Sequence, residues 1–208
     1  MTPEEILQQI HEEVQSCTKC GLYFSRKYGV SGAGPANAEI MLIGEGPGFH
    51  ENETGIPFVG GSGRFLDELL EGIGLKREEV FIGNVVKCRP PGNRDPQAGE
   101  LAACDPYLER QIAAINPKVI VTLGRFSMAK FLPHAKISEV HGKAMKVKGR
   151  LVVAMYHPAA ALHQRSLRPT LEADFAKLPD LIAQADAAPE YKEDPTENPS
   201  QGQQLSMF

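Results

Sequence analysis

The chain has 208 residues, 42% of them apolar, and carries 22 basic against 26 acidic side chains, a formal charge of −4. This length suits one domain with an appendage; no apolar run of membrane-spanning length and no secretory leader is present, which predicts a cytoplasmic protein with no membrane partner. Five acids and one base fall between Asp186 and Phe208, so the body is neutral with 21 of each sign, and local basic patches on it remain compatible with DNA.

Thr2-Pro3-Glu4-Glu5 reads as the start of a helix, with Thr2 as N-cap, Pro3 in the first turn and acids at the positive end of the dipole. Cys17 and Cys20 follow as a C-x2-C pair, and Cys88 and Cys104 have 15 residues between them. Free buried thiols explain such a set poorly, and a reducing compartment disfavours disulfides. A four-thiolate site is the better reading, either tetrahedral zinc or a cubane iron–sulfur cluster, and spacing alone does not separate the two. Either would tie the first helix to the region around residues 88–104.

Ile40-Met41-Leu42-Ile43, closed by Gly44, predicts a buried strand. Glu45 then stands at its carboxyl end, where open α/β sheets bind ligands, and Gly46-Pro47-Gly48 lets the backbone approach one closely. Neither a phosphate-binding loop nor a dinucleotide glycine pattern is present. On its own the stretch is equally a tight turn with a solvated glutamate. Phe58 follows in a loop otherwise poor in aromatics. A helix is expected from Ser62 to Gly72, with Phe65, Leu66, Leu69 and Leu70 on one face.

Val80–Lys87 predicts a second strand, apolar on both faces except at Asn84. A buried amide needs partners, either from the backbone or from the edge of a ligand. Arg89 and Arg94 lie in the rigid loop Cys88–Pro96, solvated or on phosphate. A helix at 98–115 carries Cys104, and Val119–Arg125 forms a third strand and turn. A short helix to Leu132 follows. Residues 137–150, with Lys143, Lys146, Lys148 and Arg150, read as a basic hairpin. Leu151–Tyr156 is the fourth strand, running into His157-Pro158. The run Ala159-Ala160-Ala161-Leu162, with Arg165 beyond it, is odd for an unligated loop and suits an apolar wedge between base steps. The last helix spans about 170–185.

Four apolar strands alternating with helices predict an α/β fold of three layers, a four-stranded parallel sheet covered on both faces. Glu45, Arg125 and His157 would then share one rim, with Asn84 close by. The domain is expected to end at residue 185. Residues 186–208 form an acidic, Pro-rich tail that cannot bury a core.

Taken together, Gly44-Glu45-Gly46-Pro47-Gly48, Gly55-Ile56-Pro57-Phe58-Val59-Gly60, Asn84 through Arg94, His157-Pro158-Ala159 and the four cysteines resemble the family 4 uracil-DNA glycosylases, over roughly Glu4 to Leu181. The resemblance implies a uracil-DNA glycosylase-like fold and a [4Fe–4S] cluster on Cys17, Cys20, Cys88 and Cys104. It implies a DNA-repair enzyme that flips uracil out of single- or double-stranded DNA and hydrolyses its glycosidic bond. His157 would stabilise the uracil anion, and Glu45 and Asn93 would position water and balance the sugar cation. Gly46, Phe58 and Asn84 would hold uracil, and Glu51 would bar the thymine methyl. Gly46 departs from the Ala common in the family, which bears on substrate breadth. Arg94, Ala159, Ala160, Ala161, Leu162 and Arg165 would meet DNA. The chain ends Gln204-Leu205-Ser206-Met207-Phe208, which resembles the bacterial sliding-clamp-binding pentapeptide. The competing readings are a same-fold glycosylase for hypoxanthine, a non-catalytic iron–sulfur DNA-binding protein and, more remotely, a zinc-stapled nucleotide-binding module.

Overall fold

The computed structural model describes residues 1–192, so the pentapeptide Gln204–Phe208 lies outside the described residues. Helix α1 (Pro3–Ser16) starts as the sequence indicates: Thr2 Oγ1 accepts from the Glu5 amide at 3.2 Å, and Glu5 Oε2 accepts from the Thr2 amide at 2.8 Å. Such reciprocal caps stabilise a helix by about 1 kcal/mol. The buried face of α1, Ile10 and Val14, packs with Leu22, Val86, Cys88, Cys104 and Tyr107.

Strand β1 (Ile40–Gly44) is buried along its whole length, and the short helices α2 (Phe49–Thr54) and α3 (Gly61–Glu71) follow. The remaining elements are β2 (Phe81–Asn84), α4 (Ala98–Ile115), β3 (Val119–Leu123), α5 (Arg125–Phe131), α6 (Ile137–Val140), β4 (Ala144–Val147), β5 (Arg150–Met155), α7 (Pro158–His163), α8 (Arg168–Ala176) and α9 (Leu178–Ala183). Among the described residues the strands form one sheet in the order β2-β1-β3-β5-β4.

The four parallel strands are those expected from their apolar runs, and one cluster of core side chains lies on each face of the sheet. Phe65, Leu66, Leu69 and Leu70 of α3 pack with Leu42, Val121 and Val153, while Leu108 and Ile112 of α4 pack with Met41, Ile43 and Ile120. These alternate along each strand, as the two-residue period requires. Burying each large apolar side chain contributes about 1.5–3 kcal/mol.

The expected four-stranded sheet gains a fifth, antiparallel strand at its edge. The hairpin is shifted from 137–150: Ile137–Val140 is helical, and β4 instead pairs with β5, Ala144 opposite Val153 and Val147 opposite Arg150. Lys148 and Gly149 have φ of 50° and 75°, the pair of positive values that a two-residue hairpin turn of right twist demands. β4 is half-buried throughout, so its apolar signal is too weak to read as a strand.

The packed body also extends past residue 185. The Lys146 amide donates to Pro189 O at 2.8 Å, the Tyr191 amide donates to Lys146 O at 2.8 Å, and the Tyr191 ring packs in the cluster of Met128, Leu132 and Val140. At the opposite edge, Ala33 exchanges two backbone hydrogen bonds with Ile82 of β2. Among the described residues no helix is long and apolar enough to cross a membrane.

Candidate active site

A cleft of about 360 Å³ opens where β1, β2 and β5 end, lined by residues from 45–51, by Phe58, Ser62, Asn84, Pro90, Asn93 and Arg94, and by His157, Ala159 and His163. Parallel β1 and β2 put Gly44 beside Asn84 in register. A Cβ on Gly44 would stand 2.5 Å from Asn84 Oδ1 and 2.7 Å from Phe58 Cζ, so only glycine lets the amide and the ring close over the strand end. Asn84 is 1% exposed, and among the described residues its Oδ1 has no hydrogen-bond partner. An orphaned buried acceptor costs about 1–3 kcal/mol, a cost that a ligand donor removes.

Phe58 is buried and has a φ of 51°, a left-handed value that a non-glycine residue adopts at a cost of roughly 1–2 kcal/mol. Arg77 holds it there, donating to the carbonyls of Pro57 and Phe58 while pairing with Asp67. The Phe58 and His157 rings lie nearly parallel, with centroids 5.5 Å apart.

Glu51 is 7% exposed and its carboxylate is fully engaged by backbone: Oε1 accepts from Val59 N at 2.8 Å and Gly60 N at 3.0 Å, and Oε2 from Gly48 N at 3.1 Å. These charge-assisted bonds lock the Gly46–Gly48 turn to the Phe58–Gly60 turn and build the cleft wall. Gly46, in the first of these turns, owes its small size to Val86: a Cβ there would meet Val86 Cγ2 at 2.7 Å.

His157 follows β5 and caps α7. Its Nδ1 accepts from the Ala159 amide at 3.1 Å, which places the ring proton on Nε2. Burial lowers its pKa to about 4, against the opposing pull of the Glu51 carboxylate. The ring is therefore a neutral Nε2–H donor at neutral pH. Glu45 is shifted the other way: burial and the nearby Asp95 raise its pKa to about 7, with Arg125 opposing. Arg125 itself is paired with Asp95.

Other expected residues are placed differently. Asn93 lines the cleft, but its Oδ1 already accepts from Arg89 Nε at 2.8 Å. Arg94, read as a phosphate contact, makes a two-pronged ion pair with Glu100 at 2.9 and 2.7 Å, so its charge is matched within the protein. Glu100 lies six residues beyond Arg94, in the first turn of α4, and residue names at that spacing do not announce a pair. The Ala159–Leu162 run is a helical turn and not an exposed loop. Leu162 is 48% exposed, but Ala161 is 4% exposed and packs into the core, which corrects its assignment to the DNA face. Arg165 is exposed in the turn Arg165–Leu167. His163, not anticipated, reaches the cleft because it sits one helical turn after Ala159, a spacing visible once the segment is known to be helical.

The four cysteines come together away from this cleft. Cys17, Cys20, Cys88 and Cys104 line one small cavity with Val14, Leu22 and Tyr107, and all four are free thiols. Arg26 Nη1 donates to Cys88 Sγ at 3.3 Å and the Lys87 amide to Cys104 Sγ at 3.2 Å, N–H···S contacts that suit thiolates. Among the described residues no three Cys, His, Asp or Glu side chains stand close enough to share one metal ion. Lys87 connects the two places: it is 1% exposed, and its Nζ donates to Asn84 O at 2.9 Å and to Gln111 Oε1 at 2.6 Å.

Comparison with known proteins accords with this geometry. A model of the uracil DNA glycosylase superfamily matches residues 31–178. Over 187 residues the chain is 48% identical to a type-4 uracil-DNA glycosylase of Sulfurisphaera tokodaii, covering 84% of each chain. It is 47% identical to one from Archaeoglobus fulgidus, covering 85% of this chain and 94% of the relative, and 46% identical to one from Saccharolobus solfataricus, covering 85% and 87%. With a match that spans the sheet, the cleft and the rim that carries Glu45, Asn84 and His157, the chain belongs to the uracil DNA glycosylase superfamily.

Proposed function

We propose that this protein is a DNA-repair hydrolase that cleaves the glycosidic bond of deoxyuridine in DNA, releasing uracil and leaving an abasic site. The observation that carries the reading is the convergence, in one cleft, of a neutral imidazole donor and an unsatisfied buried amide acceptor. Uracil offers a ring N–H to Asn84 Oδ1 and an O4 to the same amide's N–H2, a pairing that cytosine does not match. As the N1–C1′ bond breaks, its electron pair passes to uracil and negative charge gathers on O2. His157 Nε2–H stabilises that charge without transferring a proton, since a neutral imidazole is a preorganised donor. Phe58 supplies an apolar wall for the flipped base. Glu45, with a pKa near neutrality, faces the sugar cation as carboxylate and takes a proton from the water that adds to C1′. Asn93, with its oxygen held by Arg89, steadies that water through its amide nitrogen. Leu162, with Ala159 and Ala160 beside it and Arg165 beyond, fills the gap left in the stack.

Cys17, Cys20, Cys88 and Cys104 suit a [4Fe–4S] cluster, which would act as a structural brace between α1 and the loop after Cys88. Purified protein is then brown, with visible absorbance that bleaches on iron chelation; a colourless, zinc-loaded protein would refute this assignment. The pentapeptide Gln204–Phe208 would recruit a bacterial sliding clamp. Deleting Gln204–Phe208 is expected to abolish co-elution with a bacterial sliding clamp while excision from free oligonucleotides persists, and unchanged co-elution would remove that partner.

The decisive assay presents oligonucleotides with one uracil, one hypoxanthine or one thymine mismatch, followed by alkali. Cleavage at uracil alone is expected. Cleavage confined to hypoxanthine would favour the same-fold alternative, and cleavage at none would leave a DNA-binding protein without catalysis.

A further inference from the structure

Phe49 is 54% exposed although it opens a helix whose neighbouring residues build the cleft. A lone exposed aromatic is ordinary, but this one has a built surrounding. The Arg89 guanidinium lies over its ring, 5.4 Å from the centroid, and the His50 ring meets it edge-on at 5.5 Å. Arg89 is itself held by Asn93, whose Oδ1 accepts from Nε at 2.8 Å. The backbone that carries the ring is fixed as well: the Gly48 amide donates to Glu51 Oε2 at 3.1 Å at the start of α2. Gly48, Glu51, Pro90 and Asn93 all line the cleft, so Phe49 and Arg89 sit together on its mouth, while Leu162 stands exposed beside Ala159 and His163 on the α7 side.

We propose that Phe49, backed by Arg89, stacks on the nucleobase adjacent to the flipped uracil and fixes the strand across the mouth of the cleft. A rigid aromatic backed by a guanidinium is what single-stranded nucleic acid meets on its binding platforms, because every base has a π-face and every step a phosphate. Leu162 fills the space the uracil vacates, and Phe49 grips its neighbour. The inference rests on the uracil-excision reading and adds a contact to the flanking nucleotide.

The test uses the full-length protein and single strands containing 2′-fluoro-deoxyuridine, which resists excision, with the base on either side present or replaced by an abasic tetrahydrofuran. Binding is read by fluorescence anisotropy, and excision is followed in parallel on the ordinary uracil strand. Phe49→Ala is expected to weaken binding of the intact strand about tenfold, the scale of one base–aromatic stack. Removing the base on one side should weaken wild type by a similar factor and Phe49→Ala less than twofold, with Phe49→Tyr restoring wild-type behaviour. Wild-type excision with equal losses in both proteins at both flanks would overturn the stacking contact and leave the excision reading intact. Absence of uracil excision by wild type would overturn both.

Discussion

Burial acts oppositely on a base and an acid, lowering the pKa of His157 and raising that of Glu45. On the proposed function, removing the His157 ring takes away the donor to the uracil anion, while Asn84, Phe58 and Glu51 still line the cleft. His157→Ala is therefore expected to slow single-turnover excision by about 10²–10³, with DNA affinity changed less than threefold; an equal loss in both would contradict an anion-stabilising role. On the proposed function, the acid limb of the rate profile belongs to Glu45, with its carboxylate as the active form. Activity is then expected to rise as pH passes upward through about 7. Asp95→Asn removes a like charge and frees Arg125, so the limb is expected to move to lower pH, whereas Arg125→Ala moves it to higher pH. A profile that stays fixed in both variants would separate Glu45 from the rate-limiting proton. His157, with its pKa lowered to about 4, adds no limb at neutral pH. These roles were partly legible from residue type and order, since a Glu, an Asn and a His each follow or end an apolar run. What was not legible was the pairing within residues 89–100. Arg94 looked free and is matched by Glu100, and Asn93 looked available and has its oxygen taken by Arg89.

At the level of elements, the cleft depends on two turns that share one carboxylate. Glu51 gathers three backbone N–H groups from residues 48, 59 and 60, and no local pattern in the sequence links those positions. Glu51→Ala leaves those donors unsatisfied and loosens the cleft wall, which on the proposed function faces C5 of the base. It is expected to raise KM for uracil about tenfold and to bring thymine excision above background; thymine discrimination equal to wild type would show that the wall is shaped elsewhere. The parallel strands were legible because each is a continuous apolar run buried on both faces. β4 was not, because a half-buried edge strand of Ala, Met, Lys and Val carries little pattern, and its register comes from a turn whose positive φ at Lys148 the residue name does not suggest. The Ala159–Leu162 segment was misjudged for a related reason. Helix α7 is six residues long, too short for periodicity to declare itself, and His157 as its N-cap is an unusual choice.

Across the whole molecule, the first helix and the loop after β2 are joined at the cysteine cavity, and Lys87 carries that junction to the backbone of Asn84. On the proposed function, damage at the cysteines is thus expected to reach the amide that reads the base. Cys104→Ser is expected to lower the melting temperature by about 10 °C or more and to weaken uracil affinity, both measured on the same preparation; a normal melting temperature would argue against a bracing role. The two outer strands of the sheet carry a different consequence. Ala33 on one side and residues 189–191 on the other occupy hydrogen-bonding groups that would otherwise be open to a second molecule. A chain cut after Ala188 would bare the flank of β4 and turn it into a template. Its sedimentation is expected to become concentration-dependent, as copies zip together strand to strand, while the full-length chain stays monodisperse.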